Sequence, residues 1–322
     1  MKVNYWLIIL IALFSPSQLG IHFWPEWSLV SGIRVDYLSP TIYLSDLFFS
    51  GLFIITAVKF RGSKFLKIMI SVFFSLLLFS GKGNISSVYW TLRYLQIPTL
   101  AWLIFVNGKS FSFTKDVKKY LSFSLIFILF LEIWQFAIKK STGWWWIFGE
   151  RSFSLSTPNI ATVDLFGQEF LRPYATFSHP NALAGWLLLV MFILWDSKPK
   201  RLLALAGILL TFSRNALLAV IAGTIFYSAL AGRNAFFSIV SFSQNSIEER
   251  FILNQSALKV FLDHPVSGVG PGKLLSALPE YFPPGFWSLQ PPHNIYFLIL
   301  AETGIFGFAV LLTGIFKIYT AV

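Results

Sequence analysis

The chain has 322 residues and a formal net charge of +11, yet only 12% of its residues are charged while 56% are hydrophobic, among them 36 Phe and 12 Trp. Soluble domains run near a quarter charged, and disordered chains need low hydrophobicity; both classes are excluded, and the composition is that of a polytopic membrane protein. With no cysteine, disulfides and thiolate metal sites are excluded too.

A bilayer crossing takes roughly 20 mostly apolar residues to cover a hydrocarbon core about 30 Å thick. Continuous apolar runs, rather than alternating ones, favour helices over a barrel. In chain order the expected spans are residues 5–20, 41–60, 65–80, 88–106, 120–138, 182–195 and 294–316. The first is read as an uncleaved helix, because the following Ser15-Pro-Ser-Gln-Leu-Gly20 lacks a small-x-small cleavage site. A further block, 202–230, is too long for one upright helix and too short for two ordinary ones.

Lys59, Arg61, Lys64 and Lys67 lie between the second and third spans, Lys109, Lys115, Lys118 and Lys119 follow the fourth, and Lys198, Lys200 and Arg201 follow the sixth. By the positive-inside rule these loops are cytoplasmic. Much of the net charge therefore reports topology and anionic membrane lipid; no polar basic domain exists to bind nucleic acid. Two long external loops remain, 139–180 and 232–293. The first holds Trp144, Trp145 and Trp146, suited to an interfacial aromatic belt. The second holds an amphipathic helix over 246–262 and ends in the stiff Pro283-Pro284 and Pro291-Pro292 pairs. The fold expected is all-α: a transmembrane bundle of about eight to ten spans, with 1–138 as N-terminal transmembrane helices and 139–322 as the catalytic region. Two topologies are open for 202–230. A single tilted helix leaves Arg250 and His293 outside directly; two helices turning at Ser213-Arg214 require a third crossing near 235–243.

Soluble-enzyme motifs fail. Gly268-Val-Gly-Pro-Gly-Lys273 is near a phosphate loop, but Ser267 stands where the first Gly is required and Leu274 where Ser or Thr is required. There is no His-Glu-x-x-His, Gly-x-Ser-x-Gly or Asp-x-Asp. What remains is ionisable residues in or beside apolar helices, where they are costly and mark function. Arg214 sits deep in an apolar block, although a snorkelling arginine at a helix end has the same setting. Arg172 precedes His179-Pro180-Asn181 at the mouth of the sixth span, a sequence that also suits a helix start with Asn as cap. Arg250 heads the external amphipathic helix. His293 and Asn294 open the last span, with Glu302 two turns further in; a His at such a mouth can accept a proton near neutral pH. Arg93 and Glu132 are further intramembrane candidates.

Four of these stretches, in this order, resemble the O-antigen ligase and polymerase family of bacterial membrane glycosyltransferases. They are Arg172-Pro-Tyr-Ala-Thr-Phe-Ser-His-Pro-Asn181, Ser213-Arg214-Asn-Ala, Arg250 followed by His264-Pro-Val-Ser-Gly-Val-Gly-Pro-Gly272, and His293-Asn294 followed by Glu302-Thr-Gly304. The resemblance covers 172–307; the first 140 residues match only as hydrophobic spans, and relatives often carry one or two spans beyond the last helix matched here. It implies transfer of a glycan from an undecaprenyl-pyrophosphate carrier at the external face of the inner membrane, without metal or nucleotide cofactor. The acceptor would be a glycan, lipid A core or a protein. Arg214, Arg250 and Arg172 match residues facing the pyrophosphate, and His293 matches the residue acting on the acceptor hydroxyl; Asn294, Glu302, His179 and Asn181 would support them. The rival class, a transporter or flippase of lipid-linked oligosaccharide, predicts internal repeats, and none is evident.

Overall fold

A computed structural model describes residues 2–79, 84–107, 111–158, 160–165, 167–230 and 245–321, and these are mostly helical. The helices are α1 (Lys2–Phe14), α2 (Leu44–Lys59), α3 (Lys64–Phe79), α4 (Ile85–Asn107), α5 (Phe111–Ile138), α6 (Pro180–Ile193), α7 (Lys198–Leu210), α8 (Arg214–Leu230), α9 (Asn245–Asp263), α10 (Leu274–Ala277) and α11 (Ile295–Ala321). Each run expected to span contains a helix, although residues 15–20 and 41–43 of the first two runs lie outside it. Among the described residues, Thr114–Ile138 and Ile295–Thr313 are long and apolar enough to cross; Val3–Phe14 and Pro180–Ile193 are apolar but shorter. Helices α2, α3, α7 and α8 have 16, 16, 13 and 17 residues. At ~1.5 Å per residue they rise about 20–26 Å, less than the hydrocarbon core. Helix α4 is longer but carries Arg93, Gln96 and an internal Pro98.

The fold also departs from all-α. Strands β1 (Gly20–His22), β2 (Leu29–Val30), β3 (Ile33–Arg34), β4 (Thr41–Tyr43), β5 (Thr162–Leu165) and β6 (Gln168–Leu171) form three two-stranded ribbons, β1–β4, β2–β3 and β5–β6. The β2–β3 turn is Ser31-Gly32, with φ of 51° and 78°, the double positive φ that matches strand twist in a two-residue hairpin.

The block 202–230 is two helices. The break falls at 211–213, where Phe212 takes φ 52° and the Thr211 hydroxyl donates to Ile208 O at 2.7 Å. The two-helix alternative is therefore the one formed; the third crossing it requires near 235–243 lies outside the described residues.

Packing divides the chain into two compact units that alternate along the sequence, one of residues 1–21, 42–52 and 107–241, the other of 22–41, 53–106 and 242–322. In the first, Leu125, Ile128 and Leu131 of α5 pack with Leu183, Leu187 and Met191 of α6 and with Ala204 and Ile208 of α7. A Cβ at Gly207 would lie 2.8 Å from Leu129 Cδ2 and from Glu132 Oε2, so α7 approaches α5 through a residue without a side chain, as membrane helices do. Both Glu132 oxygens are buried with no hydrogen-bond partner among the described residues.

In the second unit, Ala257 and Val260 of α9, the amphipathic helix expected from sequence, pack with Leu274, Leu275, Leu278 and Ala301; Leu253 is buried on the same helix, while Phe251 and Leu262 stay exposed. Helix α11 is interrupted at Gly304 (φ 64°, ψ −175°). An interrupted helix frees backbone groups that lipid cannot satisfy, and the segment 265–270 takes them. Val269 and Gly270 N–H donate to Ala301 and Glu302 O (3.0 and 2.8 Å), while Ile305 and Phe306 N–H donate to Pro265 and Val266 O (2.8 and 3.2 Å).

Candidate functional site

In the first unit the structure gathers Arg172, His179, Asn181 and Arg214. His179 caps α6: its Nδ1 accepts from Asn181 N–H at 3.1 Å, with Pro180 at the first helical position. The cap is thus His179 and not Asn181, whose side chain faces elsewhere; Asn181 Oδ1 accepts from Arg172 Nη2 at 2.9 Å. Arg172 Nε donates to Thr211 O at 2.9 Å, which brings the α7–α8 turn to the mouth of α6. Arg214, the first residue of α8, is exposed. Burial lowers the Arg172 pKa, Tyr174 opposes this, and the positive charge of Arg214 adds to the lowering. Among the described residues neither guanidinium has a carboxylate partner. Two neighbouring cations with unfilled N–H donors make a receptor for a multiply charged anion, since guanidinium forks match phosphate oxygens.

The segment after Arg172 is held by a residue that the sequence did not bring forward. Gln135, fully buried on α5, accepts from Tyr174 and Ala175 N–H (3.0 and 2.7 Å) and donates to Ala175 O and Glu150 Oε1 (both 2.9 Å). That uses all four bonds of a carboxamide. Glu150 in turn accepts from Thr142 N–H at 2.7 Å and from the Thr142 hydroxyl at 2.5 Å. A polar residue inside an apolar helix was the available clue; its partners, 15 to 40 residues away in sequence, were not.

In the second unit the structure gathers Arg250, His293 and Glu249. Solvent reaches His293, yet the protein around it lowers its pKa below 6.5; Arg250 adds to the lowering and Glu249 acts against it. Glu249 also accepts from the Ser288 hydroxyl at 3.1 Å. Asn294 caps α11, its Oδ1 accepting from Tyr296 N–H at 2.9 Å. Glu302 is buried, and its bonds run to Tyr94 O–H, to Gly272 N–H at 2.8 Å and to Leu274 N–H at 3.4 Å. It anchors the glycine-rich segment and makes no hydrogen bond to His293 among the described residues. No three His, Asp or Glu side chains among the described residues gather as metal ligands would.

Residues 173–312 match the family model described as O-antigen ligase. The match begins immediately after Arg172 and contains His179, Asn181, Arg214, Arg250, His293, Asn294 and Glu302. No curated protein and no solved structure matches the chain significantly.

Proposed function

Residues 173–312 form an O-antigen ligase domain, and from that premise we propose an integral-membrane glycosyltransferase. It moves a glycan from an undecaprenyl-pyrophosphate carrier to an acceptor hydroxyl of another glycan, of lipid A core or of a protein. The reaction takes place at the external face of the bacterial cytoplasmic membrane. The observation that carries this reading is the Arg172–Arg214 pair: like charges near enough to act on each other, one partly buried and neither with a carboxylate partner among the described residues. Their repulsion is relieved when an anion arrives.

In the transfer, the acceptor oxygen attacks sugar C1, the bond from C1 to the pyrophosphate oxygen breaks, and the electron pair leaves with undecaprenyl pyrophosphate. Arg172 and Arg214 stabilise the charge that grows on the leaving group, and the family resemblance implies the same role for Arg250. His293, whose pKa its surroundings lower, takes the proton from the acceptor hydroxyl. Attack opposite the leaving group inverts the anomeric configuration. His179 and Asn181 hold Arg172 and the helix mouth, Asn294 sets the start of α11 beside His293, and Glu302 secures the neighbouring loop. The catalytic region is 139–322, with 1–138 as its membrane support.

The test is single alanine substitution of Arg214, Arg250 and His293 in a strain that depends on this gene. Surface polysaccharide is read by gel against the amount of membrane-inserted protein. Loss of one preorganised charge donor costs about 10²–10³ in rate, and loss of the general base about 10²–10⁴. Full activity in all three variants would falsify the site.

A further inference from the structure

A cavity of about 400 Å³ lies within the second unit, lined by Trp27, Asn84, Ser86, Gly272, Lys273 and Ser276, among others. Its volume is in the range of small-molecule sites. Three separate segments build it: the one after α1, the start of α4, and the glycine-rich loop before α10. The Lys and Arg pattern together with the alternation of spans places all three outside the membrane, on the side where lipid-linked glycans are presented.

A few donors stand among the apolar lining residues. Asn84 Oδ1 is occupied, accepting from Ser86 N–H at 3.0 Å, which leaves its amide hydrogens. Lys273 is half-buried and has no ion-pair partner among the described residues; no carboxylate is among the cavity's lining residues. The lysine is held in place from both sides, since Glu302 accepts from Gly272 N–H and from Leu274 N–H. Gly272 lies flat on Trp90, where a Cβ would fall 1.7 Å from the indole Cδ1. The Trp27 indole on the cavity's lining suits the apolar C–H face of a pyranose, amide and hydroxyl donors suit its oxygens, and one ammonium suits one negative charge. A phosphate monoester carries nearly two charges and favours guanidinium forks or several cations.

We propose that this cavity is a subsite for an acidic sugar residue, a uronic acid whose carboxylate meets Lys273, within a glycan substrate. The subsite's place in catalysis rests on the function proposed above; its binding of the sugar does not, and the two are tested apart. Purified full-length protein in lipid nanodiscs is titrated with methyl glucuronide, with the matching neutral methyl glucoside, and with inorganic phosphate as competitor, by saturation-transfer NMR. The expected result is saturable binding of the glucuronide, weakened at least tenfold by Lys273→Gln and by Trp27→Leu and retained in Lys273→Arg. Arg214→Ala should stop transfer and leave this binding intact. The proposal is overturned if the glucoside binds as well as the glucuronide, if Lys273→Gln binds like the parent protein, or if phosphate displaces the glucuronide at lower concentration than the glucuronide itself requires. Ser276→Ala, at an exposed position, supplies a second variant and should weaken binding without changing thermal stability.

Discussion

His293 lies in the field of two opposite charges carried by adjacent positions of α9: Arg250 lowers its pKa and Glu249 raises it, while partial loss of water around the ring is the largest influence and leaves the value below 6.5. If neutral His293 accepts the acceptor's proton, activity is lost as pH falls through that pKa and is flat above it. The two neighbours then give opposite signs. Glu249→Gln removes the raising influence, so activity should persist to lower pH. Arg250→Gln removes the lowering influence, so the residual activity should fail at higher pH than in the parent. The measurement is kcat/KM against pH with a lipid-linked donor; two variants shifting in the same direction would show that another group titrates. Glu302 is the contrasting residue. By sequence it belongs with His293, nine positions before it, as an acid in an apolar helix. Its partners are Tyr94, Gly272 and Leu274, and none of those bonds could be foreseen from local spacing.

At the level of elements, two stretches that read as separate motifs are each other's partners. Pro265–Gly270 and the interruption of α11 exchange four backbone hydrogen bonds, and the glycines on both sides are forced by contact. Gly304 holds φ 64° and ψ −175°, a region nearly reserved for glycine, and a Cβ there would meet Val266 O at 2.3 Å. Gly268, at φ 66°, would place a Cβ 2.3 Å from Glu302 C. Gly304→Ala and Gly268→Ala should each cost at least about 2 kcal/mol, from backbone strain of ~1–3 kcal/mol plus the clash. The cost is read as a lowered thermal midpoint in detergent. Gly185→Ala, in α6 with nothing within 4 Å of the added Cβ, is the control and should be neutral or stabilise by up to about 1 kcal/mol; equal behaviour of Gly304→Ala and Gly185→Ala would mean that the interruption is not held. Local pattern therefore reached as far as local forces do. It found the helices, the α6 mouth and the amphipathic stripe of α9, each set by neighbours a few residues apart. It missed the ribbons, whose strands are only two to four residues long, and the Gln135–Glu150 network, whose partners are far apart in the chain.

For the whole molecule, the deciding element is the turn at 211–213. Arg172 Nε bonded to Thr211 O places the start of α8 level with the entrance of α6, and Lys198 and Lys200 in the first turn of α7 put the opposite end on the cytoplasmic side in the proposed orientation. In the orientation proposed above, Arg214 stands at the external surface and not at mid-membrane. The same scheme assigns a side to every described loop, and the chain is suited to the test because it contains no cysteine. Single cysteines go in at Ser152 and Asn215 for the external side and at Gly62 and Lys198 for the cytoplasmic side, all four exposed. Intact cells are treated with a membrane-impermeant maleimide. Cysteines at 152 and 215 should label at once, and those at 62 and 198 only after permeabilisation. Labelling at 215 carries the most weight. If it required permeabilisation while 152 labelled from outside, Arg214 would stand on the cytoplasmic side, and the pairing with Arg172 at an external helix mouth, on which the proposed chemistry depends, would fail with it.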